Sequence, residues 1–327
     1  MKRSSLYLAG LVLLVILFIL SLEVGVIHIQ TPLLKLIGKH SGIDATTVWD
    51  IRFPRAMGAL IVGAALGVAG SIAQGIFRNP LAEPSLIGLT SGATLGTIAV
   101  ISSGAASFGS RTAIESAILF AACSAFLIYF VAPTRGFGFL ITGIALSATL
   151  IAIAGILISI STKPDIQAIS FWNFGSLSLL NNLTVKVIAP FIEVGFILAL
   201  FVSRKLDIYS LGENSSQFLG INPKRVRLLA IIALAFLIGP AVSAVGSIAF
   251  LGLLVPHIVR LLAGPSHRRM VGLSAIIGAD LLLLADLLAR TVFKPHEIPL
   301  GLVTSLIGAP VLIVLLRTKS AIWVSHD

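Results

Sequence analysis

Apolar runs, most of them long enough to cross a membrane, recur along almost the whole chain. They fall at about 6–27, 56–76, 84–101, 113–132, 137–161, 183–203, 226–248, 250–263, 271–293 and 298–316. A spanning helix needs roughly 20 apolar residues, and runs of that length satisfy their backbone polar groups in hydrocarbon by forming helices. Hydrophobic residues fill 57% of the 327 positions and charged residues 11%, a composition too apolar for one soluble core. The chain therefore reads as an all-α integral membrane protein of about ten transmembrane helices. It forms a single polytopic domain over 1–327, with the lipid bilayer as its solvent.

The formal net charge is +10. In a soluble protein that excess would suggest nucleic acid; here the cations sit in loops beside the apolar runs, where they orient the chain, and no nucleic-acid partner is expected. An even number of spans puts both termini on one side, and the distribution of Lys and Arg places that side in the cytoplasm. The one cysteine, Cys123, excludes an intrachain disulfide and a cysteine metal site. Lys2 and Arg3 before the run at 6–22 have the outline of a signal peptide without a clear cleavage site, so this segment is read as a retained first helix.

An internal repeat is visible at one constant offset, without a gap. Gly63 matches Gly239, the tetrapeptide Gly70, Ser71, Ile72, Ala73 matches Gly246, Ser247, Ile248, Ala249, and Pro80 matches Pro256. The matched helices run in opposite senses, so the repeat would be inverted and relate helices 2–5 to helices 7–10, an arrangement transporters use to build a path between two halves; chance similarity between Gly- and Ala-rich helices is the other reading. Small residues four apart, Gly63 and Gly67, then Gly88, Gly92 and Gly96, suit close helix packing in lipid.

Polar residues cluster in few places. Arg52 and Arg55 flank Pro54 at the expected start of helix 2, where the helix dipole disfavours cations by a few tenths to ~1 kcal/mol; acidic groups outside, lipid phosphates or Asp50 would each answer them. Residues 78–84, with Asn79, Pro80, Leu81 and Pro84, form a stiff corner that serves as a gate or a plain turn. In the long connection at 206–227, Ser210 and Glu213 have capping-box spacing for a short helix ending near Gly220, and Asn222 with Pro223 restarts the chain as a helix. Such a pair of helices docks a soluble partner or is an ordinary connector. Glu193, Asp280 and Asp286 lie inside the spans, with His257 and Arg260 on or near the short eighth helix that carries Pro256, and each is a functional candidate. Asp286 and Arg290 are four apart and pair on one helix face.

Two negative readings matter. Gly38 and Lys39 lack the rest of a phosphate-binding loop, so the chain is not expected to bind ATP. His296 and Glu297 are not followed by a second histidine, so metal catalysis is not expected.

Taken together, these stretches resemble the permease subunits of ABC importers for iron-siderophores, haem and cobalamin, over nearly the whole chain. The resemblance is carried by residues 52–55, 79–84, 171–177 with Trp172 and Gly175, Leu219 and Gly220, 252–260 with Pro256, His257 and Arg260, His267 and Arg268, Asp286, Arg290, Glu297, Pro299, Gly301 and 308–310. It implies a homodimer, two cytoplasmic ATPase subunits that use ATP and Mg, an extracytoplasmic substrate-binding protein, and the cytoplasmic membrane of a prokaryote. No cofactor of the chain's own is implied.

By the same resemblance Arg52, Arg55 and Arg290 dock the binding protein. Leu211, Gly212, Glu213, Leu219, Gly220 and Pro223, within coupling helices at about 207–225, engage the ATPase. Asn79, Pro80 and Leu81 form the cytoplasmic gate. The function expected is alternating-access import of an iron chelate, ferric siderophore or haem, with the chain itself not an enzyme. Cobalamin is the alternative cargo within the family. A proton-coupled secondary transporter using Asp280 and Glu193 is the alternative outside it.

Overall fold

The structure is a computed structural model that describes residues 3–25, 43–107, 109–131, 138–161, 166–292 and 296–323. Its regular structure, among the described residues, is helical throughout. In chain order the helices are α1 (Arg3–Glu23), α2 (Phe53–Ile76), α3 (Leu89–Ser102), α4 (Arg111–Val131), α5 (Gly138–Ile160), α6 (Ile166–Asn173), α7 (Asn182–Tyr209), α8 (Glu213–Phe218), α9 (Pro223–Val245), α10 (Leu251–Ala263), α11 (His267–Thr291) and α12 (Leu300–Trp323). Seven helices are long and apolar enough to cross a membrane, and three more, at Leu89–Ser102, Leu251–Ala263 and Leu300–Val311, are shorter and apolar. The ten runs of the sequence therefore all appear as helices. The short α6 and α8 are additions to them.

Helices α2, α9 and α11 form the centre. α2 is buried on every side and lies against α11, α10, α7 and α9, whereas α1 and α5 keep most of their apolar surface exposed. An apolar helix buried all round needs neighbours that come close, and small residues supply the approach. A Cβ at Gly63 would lie 2.4 Å from the Gly278 carbonyl oxygen, and one at Gly67 would lie 2.3 Å from that of Ser274. One face of α2 thus meets α11 backbone to backbone.

Gly70 meets the Gly252 carbonyl oxygen, which would stand 1.8 Å from a Cβ there. Proline has no N–H and frees the carbonyl four residues back. Pro256 within α10 does this to Gly252, so the freed oxygen is the one pressed on Gly70, where an α-hydrogen is its neighbour. The break at Pro256 is thereby shielded inside the bundle, as a helix break at membrane depth requires.

Two local expectations are corrected. The second helix does not start at Pro54: helix begins at Ile43, passes through a π-helical stretch at Thr47–Arg52 and continues as α2. The wider turn accommodates the ring and missing donor of Pro54 within a continuous helix, so Arg52 and Arg55 do not stand at a helix N-terminus. The register of the repeat also differs from the sequence match. Gly70–Ala73 are helical, but Gly246–Ala249 follow the end of α9. The order long, short, long recurs, with left-handed residues before the short helices at Gly88 (φ 73°) and Phe250 (φ 65°).

Candidate functional site

At one end of the bundle, four charged side chains from three elements close into a buried cluster. Arg55 on α2 donates from Nε to Asp286 Oδ1 on α11 at 2.8 Å, and it also bonds Glu297 just before α12. Arg290, one turn beyond Asp286, pairs with its other oxygen at 3.3 Å and donates to the Ser21 carbonyl and hydroxyl oxygens at 2.9 and 2.7 Å. The i, i+4 pairing of Asp286 with Arg290 is present, but Asp286 also holds Arg55. Arg52 donates to the Leu22 and Glu23 carbonyl oxygens at 2.8 and 2.9 Å, capping α1 at the negative end of its dipole.

Arg52, Arg55 and Arg290 are 4%, 8% and 6% exposed and Asp286 is fully buried. The arginines expected at the surface are therefore drawn inside and paired, as charges in a low-dielectric setting must be. Glu297 is the most open member, with 32% of its side chain exposed.

Beside this cluster three chain segments meet through their backbones. Leu300 N–H donates to Gly175 O at 2.7 Å, Gly301 N–H to Phe174 O at 2.9 Å, and Ser176 N–H to Val245 O at 2.8 Å. A Cβ on Gly246 (φ 75°) would sit 1.8 Å from Trp172 O, and one on Gly301 would sit 2.4 Å from Phe174 O. Trp172 is fully buried. The junction explains why Trp172, Gly175 and Gly301 stand together, with Pro299 one residue before α12: they tie the end of α6 to the end of α9 and the start of α12.

The opposite end carries the corner at 77–84 and the α8 connection. Asn79 Oδ1 accepts the Leu81 N–H at 2.9 Å while its own N–H reaches Gln74 O at 3.2 Å. Asn79 thus shapes the turn before Pro80, and Leu81 is exposed. Glu83 then reaches across to the other half, accepting the Phe250 N–H at 2.8 Å. Burial pushes the Glu83 carboxyl above its usual range, against the opposing hydrogen bonds from Phe250 and Ser85. His257 is buried on α10, and Arg260 donates to Gln74 Oε1 at 2.7 Å.

The expected capping box is not formed. Ser210 Oγ donates back to Asp207 O at 2.7 Å, and Gly212 (φ 115°) precedes α8 instead. A serine at the end of a long helix bonds the last turn more readily than it opens a new one. The restart is as expected: Asn222 Oδ1 accepts the Lys224 and Arg225 N–H groups at 3.0 and 3.4 Å, with Pro223 in the first turn of α9. Gly220 (φ 78°) makes the turn between the two helices.

Three apolar side chains stand out around α8: Leu211 64%, Phe218 92% and Leu219 59% exposed. Between α8, α9 and α4 lies a cavity of ≈ 1200 Å³ lined by Arg78, Tyr129, Gln217, Asn222, Lys224 and Arg227, among others. Arg78 stacks 4.3 Å from the Tyr209 ring centre, and Arg227 donates to the Tyr209 hydroxyl at 2.9 Å.

Several residues here were not singled out in the sequence. Phe218 carried no periodic signal in a six-residue helix. Glu83 reads as an ordinary loop acid until the fold brings Phe250 to it. Of the acids placed within spans, Asp280 is buried and Glu193 is exposed on α7.

The fold and these two ends define a polytopic membrane protein built of two similar halves around buried short helices. Over 92% of this chain and 91% of its own length, the hemin transport system permease protein HmuU of Yersinia pestis is 37% identical to it. The ferric enterobactin transport system permease protein FepD of Escherichia coli is 37% identical over 95% and 94%. A solved chain of a metal-chelate type ABC transporter in an inward-facing conformation superposes with a TM-score of 0.85 at 30% identity, covering 97% of this chain and 100% of that one. The FecCD transport family model matches residues 11–318. The chain belongs to the FecCD transport family, as a permease subunit of an ABC importer.

Proposed function

We propose that this subunit moves an iron chelate, a ferric siderophore or haem, across a prokaryotic cytoplasmic membrane by alternating access. Two copies line the path, and two ATPase subunits sit at the α8 end. A substrate-binding protein docks at the Arg55 end, and both termini are cytoplasmic. The hemin and enterobactin relatives favour an iron chelate over cobalamin as cargo. ATP with Mg is used by the partner, and this chain holds no cofactor and catalyses no reaction.

The observation that carries the reading is the exposure of Phe218, Leu219 and Leu211 on the α8 connection. Such apolar side chains on a polar loop mark a partner surface, and α8 leads directly into the central α9. A push on α8 is thus delivered to the core. The corner with Asn79, Pro80 and Leu81 serves as the gate at that end, and Glu83 couples its movement to α10 through Phe250.

Binding-protein carboxylates reach Arg55 by competing with Glu297, the open member of the cluster, with Arg52 and Arg290 beside it. The subunit, reconstituted in liposomes with its ATPase and binding protein, should take up labelled haem, ferric siderophore or cobalamin only with ATP. Phe218→Asp should abolish uptake, and the pair Arg52→Glu with Arg55→Glu should abolish binding-protein stimulation. Uptake that follows a pH gradient and ignores ATP would sink the reading in favour of a secondary transporter.

A further inference from the structure

Away from the α8 cavity, at the same end of the bundle, a second cavity of ≈ 600 Å³ is lined by Tyr7, Arg204, Asp207, Ser266, Arg268 and Arg269. It draws on α1, the end of α7 and the start of α11. Its only carboxylate among the described residues, Asp207, is already engaged: it accepts the His267 N–H at 2.6 Å, faces His267 Nδ1 at 3.0 Å, and accepts the Ser266 hydroxyl at 3.0 Å. Arg269 is held by the Ala263 carbonyl oxygen at 3.3 Å. Arg204 and Arg268 are exposed, and among the described residues neither has a hydrogen bond or ion pair. Three guanidinium groups around one polar cavity, with the local acid spent, call for an anion with several acceptor oxygens.

The wall beside the cavity decides where that anion comes from. Tyr7 sits one residue before a strip of α1 whose apolar side chains face outward, Leu8 at 64%, Leu11 at 48% and Val12 at 50% exposed. α1 packs on α11, so this strip runs away from the arginines along the flank of the bundle. Charge gives way to lipid-facing hydrocarbon within one turn, with a tyrosine at the boundary where aromatic rings with a polar tip settle. We propose that this cavity binds the phosphate headgroup of an anionic phospholipid, with the acyl chains lying along Leu8, Leu11 and Val12. Basic pockets between membrane helices bind such headgroups.

Lipid binding is read on the subunit alone, so this proposal and the importer reading fail independently. The purified protein, delipidated in detergent, is titrated with phosphatidylglycerol, cardiolipin or phosphatidylcholine and bound lipid is counted by native mass spectrometry. Phosphatidylglycerol and cardiolipin should bind well ahead of phosphatidylcholine. Arg204→Ser with Arg268→Ser should weaken them by roughly twenty-five-fold, about fivefold for each arginine near the surface. Arg111→Ser, at the far end of α4 and paired, among the described residues, only with Glu115, should change nothing. Arg268→Glu alone serves as a second variant should the double one unfold.

Equal binding of phosphatidylcholine, or a variant that holds anionic lipid as the parent does, would overturn the proposal. Inorganic phosphate that binds at these arginines while the lipids show no preference would also overturn it, in favour of a soluble anion.

Discussion

At the scale of single residues, Asp286 is the side chain on which most depends. It is wholly buried and holds Arg55 and Arg290 at once, so removing its charge leaves two guanidinium groups under-compensated in a dry setting. Breaking such a pair from one side costs about 3–5 kcal/mol. Asp286→Asn should therefore lower thermal stability in detergent sharply, whereas Glu297→Gln, at the open edge, should cost far less; equal losses would mean that the cluster is not organised around Asp286.

Glu83 gives a prediction with a sign. Burial raises its folded-state pKa above the unfolded value. Its contribution to stability is therefore complete in acid, below the unfolded pKa, and is lost as pH rises through the folded one. Glu83→Gln keeps an acceptor for the Phe250 N–H and removes the titration. The variant should match the parent at low pH and become the more stable of the two as pH rises. Parallel stability curves for the two proteins would remove Glu83 from the account.

Among the elements, two glycines with similar positive φ separate a turn from a junction. Gly246 (φ 75°) has Trp172 O where a Cβ would go, while Gly220 (φ 78°) has nothing within 4 Å. Gly220→Ala should cost only the backbone strain of about 1–2 kcal/mol. Gly246→Ala adds a collision with a carbonyl, which must part α6 from α9, and it should prevent stable folding. Expression and unfolding midpoints of the two variants check this, and a Gly246→Ala protein as stable as Gly220→Ala would contradict the junction.

Hydropathy alone was enough to place the ten apolar runs, because hydrocarbon admits few charges along a helix, and Asn222 with Pro223 announced the start of α9 through local chemistry. The cluster of Arg55 with Asp286 and Glu297 was legible only in part. The i, i+4 partner Arg290 was visible, but contacts from α2 to α11 and α12 depend on tertiary packing that no local spacing encodes. The capping reading of Ser210 failed because two competing local hydrogen bonds were available and the end of the long α7 took it. The π-helical approach to Pro54 was hidden for a similar reason, since proline at a helix start and proline inside a widened turn read alike.

For the whole molecule, the orientation in the membrane determines which partner meets which end, and the fold fixes the two ends relative to each other. Gly109 lies against Thr184 at the start of α7, and α7 runs 28 residues, about 42 Å at 1.5 Å per residue, before the chain reaches α8. The loop at residues 103–107 and Phe218 are therefore on opposite faces. The sequence has one cysteine, Cys123, so Cys123→Ala provides a background in which single probes are unambiguous. In that background Ala105→Cys should react with an impermeant maleimide in right-side-out membrane vesicles, and Phe218→Cys should react only after the vesicles are opened. Adding the ATPase should then protect Phe218→Cys and leave Ala105→Cys reactive, because the partner covers only the α8 face. Labelling in the reverse pattern would turn the molecule over, place the Arg55 cluster in the cytoplasm and remove it from any encounter with an external binding protein.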